Sequence, residues 1–242
     1  MLKFLNKNIK FYTTVFFIIV LFSFLMYNAY RRIENYAMGN ANNAQYTIVI
    51  DSGHGGEDGG ASSKDGTLEK DINLSIAKKL EKLVSVSGLK TKMTRNSDIS
   101  IYDENSTTVR KKKVSDLNNR LKIFNSSKNN IVISIHQNKF TDEKYYGTQI
   151  FYSNNDPKSK EIAENIKKSV VSLIQPDNTR EIKPANKNIF ILHNAKVPAV
   201  IVECGFLSNV KECEKLKSQD YQKQLAFAIY CGLLEYIKNN NL

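Results

Sequence analysis

The run Asp51-Ser52-Gly53-His54-Gly55-Gly56-Glu57-Asp58 follows directly on the strand-like Tyr46-Thr47-Ile48-Val49-Ile50 and places one of the chain's three histidines among glycines. Glycines give an imidazole little to pack against, so metal binding or catalysis is the chemistry to look for there. Two further groups complete a set: Glu69, at the start of the helix expected after the glycine loop, and His136, at the end of the apolar Ile131-Val132-Ile133-Ser134-Ile135. Two imidazoles and one carboxylate make a ligand set for a catalytic zinc that keeps a fourth position for water. Such a zinc lowers the pKa of its water to about 7 and polarises a substrate carbonyl, as amide hydrolysis at neutral pH requires. A carboxylate outside the ligand set must then carry the proton from the water to the leaving amine. Glu203 is the candidate, because a charged side chain closing the apolar Val200-Ile201-Val202 is expensive unless it works or is paired.

Each of these residues has a plainer role when taken singly. His54 could cap the following turn, and Gly53, Gly55 and Gly56 could cradle a phosphate, although no Gly-Lys-Ser/Thr follows and the spacing misses the dinucleotide fingerprint. His136 could be a satisfied strand-end histidine, Glu69 a solvated acid stabilised by the helix macrodipole, and Glu203 half of an ion pair. The combination is what favours a site. Arg95, Asp98 and Arg120 read as an ion-pair network tethering a long loop. Asn138 could orient substrate or hold the His136 loop, and His193 reads as a loop histidine. Cys204, in the apolar strand, reads as a small core residue rather than a nucleophile; with Cys213 and Cys231 it makes an odd set that matches no zinc or disulfide framework.

The elements that must position these groups alternate along the chain. Strands are expected at Tyr46–Asp51, Lys90–Thr94, Ile131–His136, Gly147–Tyr152 and Ala199–Cys204. Helices are expected from Ile72 through Leu83 and over Val114–Asn125, Ser159–Ile174 and Tyr221–Ile237, with Asp98–Lys113 as an extended loop. This order predicts a single α/β domain: a mostly parallel twisted sheet flanked by helices on both faces, preceded by an N-terminal hydrophobic helix. Ligands of such sheets bind outside the carboxyl ends of the strands, where Asp51–His54, His136 and Glu203 all fall.

The chain of 242 residues is long enough for one such domain and one membrane or export segment. Lys3, Lys7 and Lys10 precede the apolar Phe11–Tyr27, and Arg31 and Arg32 follow it, which is the pattern of an export or anchoring signal. The expected layout is a signal or membrane anchor over residues 1–30, a linker over 31–45 and the catalytic domain over 46–242, outside the cytoplasm. An uncleaved anchor is the expectation; a cleaved signal peptide, using the small residues around Ala37-Met38-Gly39 and Ala41, is the alternative. A net charge of +11 suits an anionic polymer. An exported protein meets no chromosome, so wall polymer is expected and nucleic acid is not. The dense run Arg110-Lys111-Lys112-Lys113 reads as a solvated loop or helix start.

Four segments carry a family resemblance: Asp51–Ala61, Leu68–Asn73, Ser134–Asn138 and Pro198–Asn209. In this order, over roughly Tyr46 to Tyr236, the chain resembles the zinc-dependent N-acetylmuramoyl-L-alanine amidases of the amidase-3 family. The resemblance implies one Zn²⁺ per chain held by His54, Glu69 and His136, with Glu203 catalytic. It implies cleavage of the amide between the lactyl group of N-acetylmuramic acid and the first L-alanine of peptidoglycan stem peptides. Ser52 stands where the family usually has proline, and Gln137 where a small residue is common; neither removes a ligand. Between His136 and Gly147 there is no room for the inhibitory helical insertion of some division amidases. The short layout, the N-terminal segment and Val202–Asn209 resemble the CwlD-type branch, which strips stem peptides from spore cortex on the way to muramic-δ-lactam and hence germination. An accessory lipoprotein is a partner this branch implies. The competing readings are a catalytically silent or partner-dependent wall-binding protein of the same fold and a zinc peptidase, the latter disfavoured by the missing His-Glu-x-x-His helix.

Overall fold

The computed structural model describes residues 12–13, 15–28 and 46–242. Met1–Asn43 and Ala44–Leu242 cluster as two separate units. In the first, residues 15–28 form helix α1, whose large apolar side chains from Phe16 to Tyr27 are all exposed. Among the described residues no helix is long and apolar enough to cross a membrane. Phe11 and Thr14 of the expected anchor, the linker 31–45 and the Ala37–Ala41 region lie outside the described residues.

In the second unit the apolar runs become the centre of one sheet. Strands β1 (Thr47–Ser52), β2 (Lys90–Met93), β3 (Asn130–Asn138), β4 (Gln149–Tyr152), β5 (Lys183–Pro184) and β6 (Ala199–Phe206) lie in the order β2-β1-β3-β6-β4-β5. All neighbours are parallel except β4 and β6. Strands β1, β3 and β6 are buried on both faces, which is why their sequences read as near-continuous Val/Ile runs. The edges carry Lys90 and Lys92 on β2 and Lys183-Pro184 on β5, residues that discourage further strand pairing.

Helices α2 (Glu69–Val86), α4 (Lys158–Leu173) and α7 (Gln219–Asn239) cover one face, and α3 (Val109–Phe124) and α5 (Phe190–Asn194) the other, with α6 (Val210–Lys217) after β6. The thicker core joins Ile48, Ile50, Ile131, Ile133, Ile135, Val200 and Val202 to the first helix layer. The thinner one joins Val49, Val132, Ala199 and Ile201 to Phe124 and Leu192. In the thicker layer α4 and α7 touch at Gly232, where a Cβ would stand 2.5 Å from the Ile166 Cα. Chain order takes α2 across one face from β1 to β2 and α3 back across the other from β2 to β3. The crevice beyond the β1 and β3 ends is therefore the topological switch point, where α/β folds bind ligands.

Two differences from the sequence expectation concern α3 and the short elements. The stretch expected as loop through Lys113 turns helical at Val109, because the Thr108 side chain caps the helix by accepting from the Lys111 N–H. Strand β5, two residues long, and the short helices α5 and α6 were not anticipated; they are too brief to show periodicity. Helix α6 does have a sequence signal, since Asn209 Oδ1 accepts from the Glu212 N–H in an Asn-x-x-Glu start.

Candidate active site

Strand β1 delivers the glycine loop and fixes its first turn. His54 has φ 60°, a left-handed conformation uncommon for a residue with a side chain. The surroundings over-determine it: Arg95 donates to the Ser52 and Gly53 carbonyls at 3.0 Å each, and Arg120 to those of Ser52 at 2.7 Å and His54 at 2.8 Å. Asn73 donates to the Gly53 carbonyl as well. Gly53 cannot be larger, because a Cβ there would lie 2.2 Å from the His136 ring. Asp98 accepts from the Gly56 N–H and the Lys70 ammonium, closing the loop from outside. Arg95 and Arg120 thus brace the glycine loop, mostly through carbonyls of the His54 segment, and Asp98 does so through the Gly56 N–H and Lys70, where the sequence suggested an ion-pair network tethering a long loop.

His54, Glu69 and His136 converge. Each offers one ligand atom, and the three atoms lie within 4.8 Å of one another. His54 Nε2 is 3.3 Å from Glu69 Oε2, and His136 Nδ1 is 2.9 Å from Glu69 Oε1, with the imidazoles 5.1 Å apart at 75°. Glu69 opens α2 almost wholly buried, accepting from the N–H groups of Ala61 at 2.8 Å and Gln137 at 3.0 Å and from Asn73 Nδ2. Gln137 in turn donates to Asn73 Oδ1, so the residue that departs from the family pattern supports the carboxylate. Behind His54, Nδ1 is 2.8 Å from Asp58 Oδ2, the carboxylate–imidazole pairing that orients metal-binding histidines. Sequence reasoning gave Asp58 no role, because contact within an irregular loop follows from the dihedral signs at His54–Gly56 and not from spacing.

The electrostatics fit a cation. Burial would push Glu69 up, but its hydrogen bonds to His136 and His54 outweigh that and hold it well below the usual carboxylate range. Burial disfavours charge on His54, yet Asp58 and Glu69 hold its imidazolium up to about 9. Asp58, hydrogen-bonded to His54, is lowered to about 2. The set therefore has two anionic groups facing a positive one, and a metal ion can take the place of the protons. Nitrogen, nitrogen and carboxylate oxygen suit zinc, and equally the facial triad of non-haem iron.

Glu203 stands directly opposite His136 in the β3–β6 register, and the ladder shifts by one residue just beyond the pair. Its Oε2 is shielded from solvent and has no hydrogen-bond partner among the described residues, and burial pushes the carboxyl up to about 7. An unsatisfied buried carboxylate oxygen beside a convergent ligand set is expensive without a ligand to face. His54, His136 and Glu203 line one cavity of about 250 Å³, walled by Lys113 and Leu117 of α3 and by Phe190 of α5. On the same face, Asp51 accepts from Ser134, Thr94 and, at 2.6 Å, Arg120, whose charge overcomes burial to keep Asp51 ionised.

The remaining sequence candidates lie apart from this cavity. His193 is exposed on α5, and its carbonyl accepts from Asn155. Cys204 points into the thicker core, fully buried, with its thiol pushed up by burial. Asn138 ends β3, and its carbonyl accepts from the Leu207 N–H.

The family profile Amidase_3, N-acetylmuramoyl-L-alanine amidase, matches residues 48–235. The germination-specific N-acetylmuramoyl-L-alanine amidase of Bacillus subtilis (strain 168) is 34% identical over 189 residues, 78% of this chain and 78% of its own. Among solved structures, the CwlD amidase from Clostridioides difficile in complex with the GerS lipoprotein is 43% identical. It superposes with a TM-score of 0.77 over 80% of this chain and 99% of that one. An N-acetylmuramoyl-L-alanine amidase from Clostridium difficile 630 is 32% identical, with a TM-score of 0.70 over 81% and 98%. With the profile spanning most of the chain and these relatives covering 78–81% of it, the chain belongs to the amidase-3 family of N-acetylmuramoyl-L-alanine amidases, on its CwlD-type branch.

Proposed function

We propose that the chain hydrolyses the amide between N-acetylmuramic acid and L-alanine of peptidoglycan stem peptides, with one zinc held by His54, Glu69 and His136 and Glu203 as the proton carrier. The observation that carries this reading is the convergence of the three ligand atoms within 4.8 Å, with Glu203 in register beside His136 on the same cavity. Bound there, zinc supplies Lewis acidity for the scissile carbonyl and makes water a competent nucleophile near neutral pH. Glu203 takes the proton of the attacking water on its unpartnered carboxylate and returns it to the departing amine of L-alanine. Asp58 fixes the His54 ring through Nδ1, and Asn73 and Gln137 hold the Glu69 carboxylate. Arg95 and Arg120 keep the loop carbonyls in place, so the site is preorganised before substrate arrives.

The catalytic domain is residues 46–242, and it acts outside the cytoplasm, tethered through Phe11–Tyr27. Its place is spore-cortex maturation, where removal of stem peptides precedes muramic-δ-lactam formation and hence germination. The germination-specific relative and the CwlD structure support that assignment, and the lipoprotein in the latter supports an accessory lipoprotein as partner here.

The test is metal analysis of the purified chain together with mass spectrometry of peptides released from peptidoglycan. Zinc at one per chain and peptides with a free N-terminal L-alanine are expected. Glu203→Gln should retain zinc and lose turnover, whereas His136→Ala should lose both. Iron in place of zinc, cleavage within the peptide, or turnover by Glu203→Gln would each overturn the corresponding assignment.

A further inference from the structure

The basic run Arg110-Lys111-Lys112-Lys113 takes no part in the chemistry above. It forms the first turn of α3, where the macrodipole is positive and acidic residues are favoured, yet that turn holds no acidic residue. Four consecutive cations there oppose the helix, so helix stability is not what they serve. Their side chains divide between three places. Lys112 is spent internally, 2.8 Å from both Glu57 carboxylate oxygens and 5.0 Å from the centre of the Tyr102 ring. Lys113 stands on the wall of the catalytic cavity, 58% exposed and 3.9 Å from Asp58 Oδ2. Arg110 and Lys111 are exposed and line an adjoining open groove of about 1340 Å³. Among the described residues the run makes ion pairs only through Lys112 and Lys113.

Helix α3 stands between the cavity and the groove, which meet only around its first turn. Lys113, Leu117 and Arg120 recur on the stripe that faces the cavity, and Lys111, Ser115, Asn118 and Lys122 on the stripe that faces the groove. Helix α3 is thus their common wall, and Arg110, one turn before Lys113, sits at the junction. Lys196 adds a further cation to the groove. From Arg110 to Asn125 the wall runs ~22 Å, enough for about six residues of extended peptide. The one acidic side chain lining it, Asp103, already accepts from Ser115 and Asn119.

We propose that the first turn of α3 and the groove it opens form a carboxylate-binding subsite for the stem peptides of the polymer. Its cations grip free carboxylates beyond the amide that enters the cavity. This inference rests on the amidase reading and extends it, since it assigns a second contact on the same substrate. Arg110 and Lys111 are binding residues here and touch none of the reacting atoms.

The test reads binding without turnover, so its outcome is separate from the peptide release that tests the amidase reading. Full-length protein carrying Glu203→Gln is sedimented with peptidoglycan stripped of phosphate polymers, either native or with its carboxyls amidated, with and without Arg110→Gln and Lys111→Gln. Glutamine is a good helix former and the change relieves the first turn, so the double variant should melt no lower than its parent. The expected result is roughly tenfold weaker binding of the double variant to native wall at low salt, two exposed ion pairs being lost. The parent should fall to the same level on amidated wall, and the double variant should be indifferent to amidation. Unchanged binding of the double variant to native wall would overturn the proposal, and so would an equal loss on both walls.

Discussion

The two faces of the central strands are made by alternate residues of the same sequences, and they do opposite work. On β1, β3 and β6, Ile50, Ile133, Ile135 and Val202 enter an aliphatic layer against α2, α4 and α7. Their immediate neighbours Asp51, Ser134, His136 and Glu203 face α3 and α5, where the strand ends turn polar beyond the smaller apolar cluster of Val49, Val132, Ala199 and Ile201. One side therefore stabilises through area removed from water alone, and the other adds to a smaller apolar cluster a few directional contacts at the strand ends. Failure should look different on each: graded on the aliphatic face, abrupt on the polar one.

The largest effect is expected at Asp51. Asp51→Ala leaves Arg120 buried without its main counter-charge and should cost about 3–5 kcal/mol in urea unfolding. The same pair sets an acid limit. Because the Asp51 pKa is depressed in the fold, its contribution is fully present above the ordinary carboxylate pKa and is lost as pH falls through the folded value. The wild type should therefore lose stability below about pH 4 more steeply than Asp51→Asn; equal slopes would show that the pair is not what the polar face depends on.

Asp58→Asn should come next, weakening zinc about 10- to 100-fold in a competition titration with little change in melting, since it removes only the anion behind His54. On the aliphatic face Ile133→Val should cost about 0.5–1.5 kcal/mol and leave kcat and KM unchanged. A large activity loss there would mean the two faces are mechanically coupled. The smallest effect is expected at Ser52, whose buried Oγ has no hydrogen-bond partner among the described residues: Ser52→Ala should be neutral or stabilise by up to about 1 kcal/mol. Destabilisation would reveal a partner for that hydroxyl.

The same division decides what was legible in the sequence. Strands buried on both faces write themselves as Val/Ile runs, so β1, β3 and β6 were readable, and the polar residues ending them stood out against that background. His54, His136 and Glu203 stood out as candidates because each interrupts a pattern, and Glu69, in the polar Glu69-Lys70-Asp71, only in combination with them. Asp58 interrupts none, lying in a loop already rich in polar residues. The start of α3 was hidden for the opposite reason, since its first turn is apolar only at Val109 and carries the wrong charges for a helix N-terminus. The edge strand β5 is two residues long and owes its existence to β4 beside it.

The order of strands also sets when the site can exist. Strand β6, the last to be synthesised, lies in the middle of the sheet between β3 and β4. Until it inserts, β3 and β4 each present an open edge, and Glu203 has no fixed position opposite His136. His54, Glu69 and His136 all precede it in the chain, on the loop after β1, on α2 and on β3, so the three can come together while Glu203 is still unplaced. While the chain is still being made, the candidate site is thus incomplete by its own topology. The last strand completes it by closing the gap between β3 and β4 and setting Glu203 opposite His136.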